Sequence, residues 1–340
     1  MQNIFTSYVK LFNGKLEKKE KEKTIKDLER FLLSARFKKL IDSPAMTPIR
    51  ETLEKSFREI KVAHNKGEDA YTDYRVKNLI STCIACHSQL PSTAFKAVKK
   101  RKSYEKEEFH DRLNMALLLR DYEHASSILK NEVQKDIIRG KDFRAIETKL
   151  NLLTSIQLSK LNNKKKKLLN YLSSLKLHSN YTLLIDAYTG SIKKSLKRWE
   201  GIDISRISEK KLSKLLKKFL KPIEKTLSNI YFSTQKDIVT MAQMKSILSE
   251  FILLNPESKK IAEALYWRGA VENKYTALDT YSLGELYYKE CISKYPQSPF
   301  AKKCYKNLKK SVEMGFTGSS GTHIPRAILL ELESYKKLIK

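Results

Sequence analysis

Glycine and proline are scarce in this chain, 10 and 8 in 340 residues. So few turn residues exclude a design of many short strands and point to long helices. Uninterrupted apolar runs of the ~18 to 20 residues that a membrane-spanning helix requires are also missing, so no such helix is expected. Residues Met1 to Lys15 lack the charged, apolar, small-residue order of a secretory leader. A Gly-rich phosphate loop, a nucleophile elbow and a His-Glu-x-x-His pattern are absent as well, and no substrate-converting enzyme is expected. Acidic residues are few: 38 against 67 Lys and Arg, a net charge of +29. Such a field attracts acidic partners or an anionic membrane surface. The excess is mostly Lys spread through every segment, with no Arg-rich stripe interleaved with aromatics, so specific nucleic-acid binding is not expected. Cysteine is rare too, with four residues, but their placement is informative.

Apolar periodicity fits an all-α chain of more than one packing unit. Residues 1–95 read as a four-helix bundle. Its first helix carries Ile4, Phe5, Tyr8, Val9 and Phe12, and its second carries Ile25, Leu28, Phe31, Leu32, Ala35 and Leu40. Thr47-Pro48 opens a third helix with Ile49, Leu53, Phe57 and Ile60 on its buried face. A fourth runs from Tyr71 through Tyr74, Val76, Leu79 and Ile80 to Cys83, Cys86 and His87, and Pro91 ends it. Residues 96–240 read as stacked helical hairpins, the first spanning Leu113 to Leu129 with small Ala125 at a close approach. Residues 241–340 hold an internal repeat. Asn255-Pro-Glu-Ser258 precedes Ile261, Ala262, Ala264 and Leu265, and forty residues later Tyr295-Pro-Gln-Ser298 precedes Ala301, Cys304 and Leu308. This layout resembles tetratricopeptide repeats over about sixty to eighty residues, although its spacing departs from their usual ~34. The resemblance implies a protein-interaction surface.

The chemistry-bearing motif is Cys83-Ile84-Ala85-Cys86-His87, the Cys-x-x-Cys-His pattern of covalent haem attachment. On a helix, positions i, i+3 and i+4 share one face. Two thiols can therefore meet the two vinyl groups on one porphyrin edge while the imidazole of His87 reaches the iron as its proximal ligand. One haem c is the expected cofactor. A structural zinc site would need two further ligands at short spacing, and Cys291 and Cys304 lie some two hundred residues away without a second Cys-x-x-Cys. A thioredoxin-like pair would need a strand before it. Two incidental buried thiols beside a helix-terminal histidine are the remaining alternative.

The segment Leu79-Ile-Ser-Thr-Cys-Ile-Ala-Cys-His-Ser-Gln-Leu90, closing an N-terminal bundle, resembles the haem helix of cytochromes c′ and related class II cytochromes. The resemblance is confined to residues 1 to about 95. It departs from the family in a shorter bundle and in having Leu90-Pro91 where a basic residue usually follows the histidine. It implies an open or weakly held sixth iron site and a periplasmic location, which the missing leader opposes; a late-assigned start or a processed chain would reconcile the two.

For the sixth site, Met46 and His64 are the candidates. His64 reads either as a ligand or as a solvated residue near a helix end, and Met46 either as a ligand or as core filling. Met115 falls in an apolar helix and reads as core. Cys291 and Cys304, on neighbouring antiparallel helices, read as a disulfide in an oxidising compartment or as small core residues. Trp199 and Trp267 read as core, His323 as a surface turn, and the Lys164 to Lys167 run as a solvated face. Together these features suggest electron transfer by a single haem, docked through a helical-repeat scaffold onto an acidic redox partner. The alternative is a haem-free helical-repeat adaptor for protein contacts in the bacterial envelope.

Overall fold

Helices, most of them buried along one stripe, make up the great majority of the described residues. A computed structural model describes residues 17–32, 34, 47–69, 71–72, 76, 108–118, 121–158, 164–176, 181–228, 237–275, 283–319, 321–324 and 326–339. The first helix expected from the sequence, residues 2 to 12, lies outside them. α1 (Lys18–Leu32) buries Ile25 and Leu28, and α2 (Thr47–Asn65) buries Leu53, Phe57, Ile60 and Ala63. α1 thus starts seven residues ahead of Ile25, because Lys18 to Lys23 propagate a helix without adding to its apolar face. α1 packs on α2, and α2 also packs on a helix near the far end of the chain.

α3 (Phe109–Leu118), α4 (Tyr122–Ile138), α5 (Phe143–Leu158), α6 (Lys165–Lys176) and α7 (Thr182–Arg198) follow, and from α4 onward each packs on the one before it. Asp121 caps α4 by accepting from the His124 N–H at 3.2 Å. The expected close approach at Ala125 is present, with that residue fully buried. Polar pairs fix the register: the Gln157 amide donates to Ser126 Oγ between α5 and α4, and Thr154 Oγ1 and Tyr188 Oη lie 2.9 Å apart between α5 and α7.

α8 (Glu209–Leu215) widens into a π turn at Leu216–Leu220 and then a 3-10 turn at Lys221–Ile223, before α9 (Glu224–Ser228). Pro222 explains the irregularity, since its ring lacks an N–H and crowds the carbonyl of residue 218. Trp199, just past α7, stacks flat on Phe219 of the π turn, ring centroids 4.0 Å apart.

α10 (Ile238–Leu254) is buried nearly all round and receives α5 and α7 on one side. Gln243 donates to the Leu158 carbonyl at 2.7 Å and Trp199 Nε1 to Thr240 Oγ1 at 3.4 Å, tying the two regions together. α11 (Ile261–Tyr275) packs on α10, α12 (Leu283–Lys294) on α11, and α13 (Pro299–Gly315) on both α12 and α11. A two-residue β-ladder joins Thr317–Gly318 to Gly321–Thr322, and α14 (Arg326–Leu338) packs back on α12 and α13. The helix that α2 meets is α12. The buried apolar side chains, from Ile25 to Ile339, belong to one cluster.

The internal repeat recurs hydrogen bond for hydrogen bond. Ser258 N–H donates to the Asn255 carbonyl and Ser298 N–H to that of Tyr295, at 3.1 and 2.9 Å. Ser258 Oγ then accepts from the Lys260 N–H and Ser298 Oγ from that of Phe300, at 3.0 and 3.2 Å. Ser258 and Ser298 carbonyls accept from Ile261 and Ala301 in the same way. Both serines serve the orphan donors of a helix start.

Candidate functional site

Cys83, Cys86, His87 and Met46 lie outside the described residues. The approach to the motif is described, and it begins where α2 ends. Gly67 has φ +75°, a left-handed conformation that costs glycine nothing. Its N–H donates to the His64 carbonyl and the Glu68 N–H to that of Ala63, each at 3.0 Å. This paired closure satisfies two carbonyls at the helix end and reverses the chain. Past it, Thr72 donates from both N–H and Oγ1 to the Glu68 carbonyl, at 2.8 and 2.9 Å, and starts a new helical turn. Thr72 and Val76, four residues apart, are both buried.

His64 stands on the last turn of α2 and is only 9% exposed, so of its two sequence readings the solvated one does not hold. Its Nδ1 is buried and makes no hydrogen bond among the described residues. Glu22 of α1 lies within electrostatic reach of it, and Lys21 of α1 pairs with Asp69 at 3.3 Å across the same turn. A buried imidazole nitrogen left without a partner carries a desolvation cost that a metal bond relieves. His64 thus holds a ring nitrogen that could take a donor or a metal ion. Met115 is fully buried on α3, as core. Among the described residues no group of three or more His, Cys, Asp or Glu side chains could hold a metal by itself.

Two further clusters stand apart from that region. Between α10 and α11, Arg268 is wholly buried and pairs with Glu272, donates from Nε to Ser249 Oγ at 2.9 Å, and lies 4.6 Å from the Tyr287 ring centroid. Lys245 reaches Glu272 at 3.1 Å. Burial pushes the Glu272 carboxyl up, but the charges of Arg268 and Lys245 outweigh it and bring its pKa down to about 2. Burial lowers Lys245 from its ordinary value, with Glu272 opposing. Every member has a partner in the helix pair, so the network reads as a helix clamp. Sequence reasoning missed it because charges four apart on a helix usually mark a solvated face.

Cys291 and Cys304 are buried free thiols on the facing helices α12 and α13. Burial, then the neighbouring Cys291 thiol, pushes Cys304 up. Trp199 and Trp267 are core and His323 is exposed, as the sequence suggests.

The second cluster is an open cleft of about 1260 Å³ between the Lys221–Lys225 segment, α11 and α13. Its rim carries Lys221, Lys225, Lys303, Lys306 and Lys310, over a floor that includes Tyr266 and Met314. Glu224 anchors the floor by accepting from Tyr266 Oη and Lys303 Nζ, both at 2.8 Å. Burial raises its pKa, and those two hydrogen bonds reverse the shift and leave it below the ordinary carboxylate value. The 303, 306, 310 spacing on one helix face was the sequence signal, lost among so many lysines.

Compared with known proteins, the chain matches no family model, no curated protein and no solved structure.

Proposed function

We propose that this chain is a c-type cytochrome that carries one covalent haem on Cys83 and Cys86 and transfers electrons while docked through its helical hairpins. The observation that carries the reading is the pentapeptide Cys83-Ile84-Ala85-Cys86-His87 itself. The capped reversal at Gly67 and the buried pair Thr72 and Val76 support it, since continuing their spacing along the sequence at helical steps reaches Cys83.

In this reading the Cys83 and Cys86 sulfurs form thioethers that retain the cofactor, and His87 is the proximal ligand throughout. Of the two candidates for the sixth site, the buried His64 Nδ1, with no hydrogen bond among the described residues, is favoured over Met46. The haem supplies one-electron exchange at its exposed edge. Residues 1–95 form the haem-binding unit, residues 96–240 the hairpin region and residues 241–340 the tetratricopeptide-like repeats. The protein works in the periplasm, where this kind of haem is attached. Its net charge of +29 steers it toward an acidic redox protein or an anionic membrane surface.

The repeated turns at Ser258 and Ser298 favour a second reading, a haem-free adaptor whose repeats bind an envelope protein. Export of the full chain behind a leader, in cells with cytochrome maturation machinery, separates the two. The cytochrome keeps haem-dependent peroxidase staining on a denaturing gel and loses it in the Cys83→Ala/Cys86→Ala double variant. A colourless wild-type band supports the adaptor.

A further inference from the structure

The lysine cleft between Lys221–Lys225 and α13 lies in the repeat region and plays no part in haem attachment. Lys303, Lys306 and Lys310 follow one another at three- and four-residue steps, so their stems leave one face of α13 over about 10 Å of helix. Opposite them, the kink at Pro222 carries Lys221 and Lys225. Lys303 is neutralised by Glu224. The other four are exposed and make no ion pair among the described residues. Leaving four like charges facing one cavity costs the fold through repulsion, a cost that an anionic occupant removes.

The chemistry of the walls selects among anions. At about 1260 Å³ the cleft exceeds the ~300 to 1,000 Å³ typical of small-molecule sites, and it opens to solvent. Among the described residues no arginine lines it, so the planar two-pronged grip on an anion is missing and each lysine acts as a point charge. Two carboxylates, Glu224 and Glu313, stand among the lysines and would repel a strand bearing a charge at every step. Apolar surface from Pro222, Met314 and Ile324 lines the same cleft. An occupant with spaced negative charges and apolar side chains between them meets all of these conditions.

We propose that this cleft is the docking site for an extended acidic peptide segment of a protein partner, one in which carboxylate and apolar side chains alternate. The carboxylates pair with Lys306 and Lys310 on one wall and Lys221 and Lys225 on the other, while apolar side chains rest on Pro222 and Met314. Extended chain advances ~3.3 Å per residue, so a segment of about four residues spans the α13 row. The assignment rests on reading the C-terminal hairpins as the docking part of the protein, and is independent of the haem.

Fluorescence anisotropy of the full chain with a labelled peptide of alternating Glu and Leu tests it. Binding weakens about tenfold at ~150 mM salt in Lys306→Gln/Lys310→Gln and in Lys221→Gln/Lys225→Gln. It changes less than about twofold in Lys193→Gln/Lys194→Gln, where the same charge is removed from exposed positions of α7. Equal weakening in all three variants attributes binding to the diffuse positive field and overturns the proposal. Tighter binding of a single-stranded oligonucleotide of matched charge, lost in the same two cleft variants, reassigns the cleft to nucleic acid and also overturns it. The Cys83→Ala/Cys86→Ala protein binds the peptide as wild type does. A chain that takes up haem but ignores the peptide refutes the cleft and leaves the cytochrome reading standing.

Discussion

Replacing Glu272 with Gln leaves the guanidinium of Arg268 and the ammonium of Lys245 packed between helices without their carboxylate. Removing one partner of a buried ion pair costs about 3 to 5 kcal/mol, because the remaining charge stays desolvated. Chemical denaturation should register a loss of that size for Glu272→Gln. The Lys245→Met/Arg268→Met/Glu272→Leu triple variant should lose much less, since no charge is stranded. The pH dependence has a definite sign. The Glu272 carboxyl titrates near about 2 in the fold against an ordinary 4.5, so the folded state binds fewer protons between those values. Its contribution is complete above pH 4.5 and drains away as the pH falls toward about 2. The stability of Glu272→Gln should therefore fall less steeply than wild type over that window, and parallel curves would refute the assignment. At the same scale, His64→Ala in the haem-loaded protein should convert a six-coordinate low-spin absorption spectrum to a high-spin one, whereas Met46→Ala should not. An unchanged spectrum in His64→Ala would remove His64 from the iron. The sequence made His64 a candidate but gave no sign that its Nδ1 is buried, because burial there depends on α1 packing over the last turn of α2.

α11 and α12 meet through glycine. A Cβ placed on Gly284 would lie 1.7 Å from Asn273 Oδ1 and 2.8 Å from the Gly269 carbonyl oxygen, and one on Gly269 would lie 2.6 Å from the Tyr288 ring. The helices approach so closely that neither position has room for a methyl group. Gly284→Ala should destabilise the protein by about 1 to 3 kcal/mol through overpacking. Gly190→Ala, in the exposed middle of α7 with nothing within 4 Å of the added Cβ, should stabilise it by about 0.5 to 1 kcal/mol. Thermal unfolding of the two variants checks both signs, and a loss in both would show that glycine is needed for helix geometry and not for the close approach. Much at this scale was legible beforehand. Thr47-Pro48 announces α2, and the Leu113 to Leu129 rhythm resolves into α3 and α4. The two Pro-x-Ser turns recur as identical caps. What could not be read was pairing between distant elements. The contact of α2 with α12, the Pro222-induced π turn and the Gly269 to Gly284 approach depend on shapes that only the folded helices bring together.

Taken whole, the described residues form a mostly helical framework with a charged cleft near its end, and the sequence adds one motif of strong chemical meaning near its beginning. The helical class followed from the shortage of glycine and proline, and the described residues bear it out. The lysine cleft did not follow, because 67 basic residues spread through the sequence hide the few that converge. The central claim concerns covalent chemistry at Cys83 and Cys86, so intact mass spectrometry of the exported, unfolded full chain tests it most directly. The account predicts the polypeptide mass plus one haem, lost in Cys83→Ala/Cys86→Ala. The bare polypeptide mass, from cells that load a known c-type cytochrome in parallel, would contradict it.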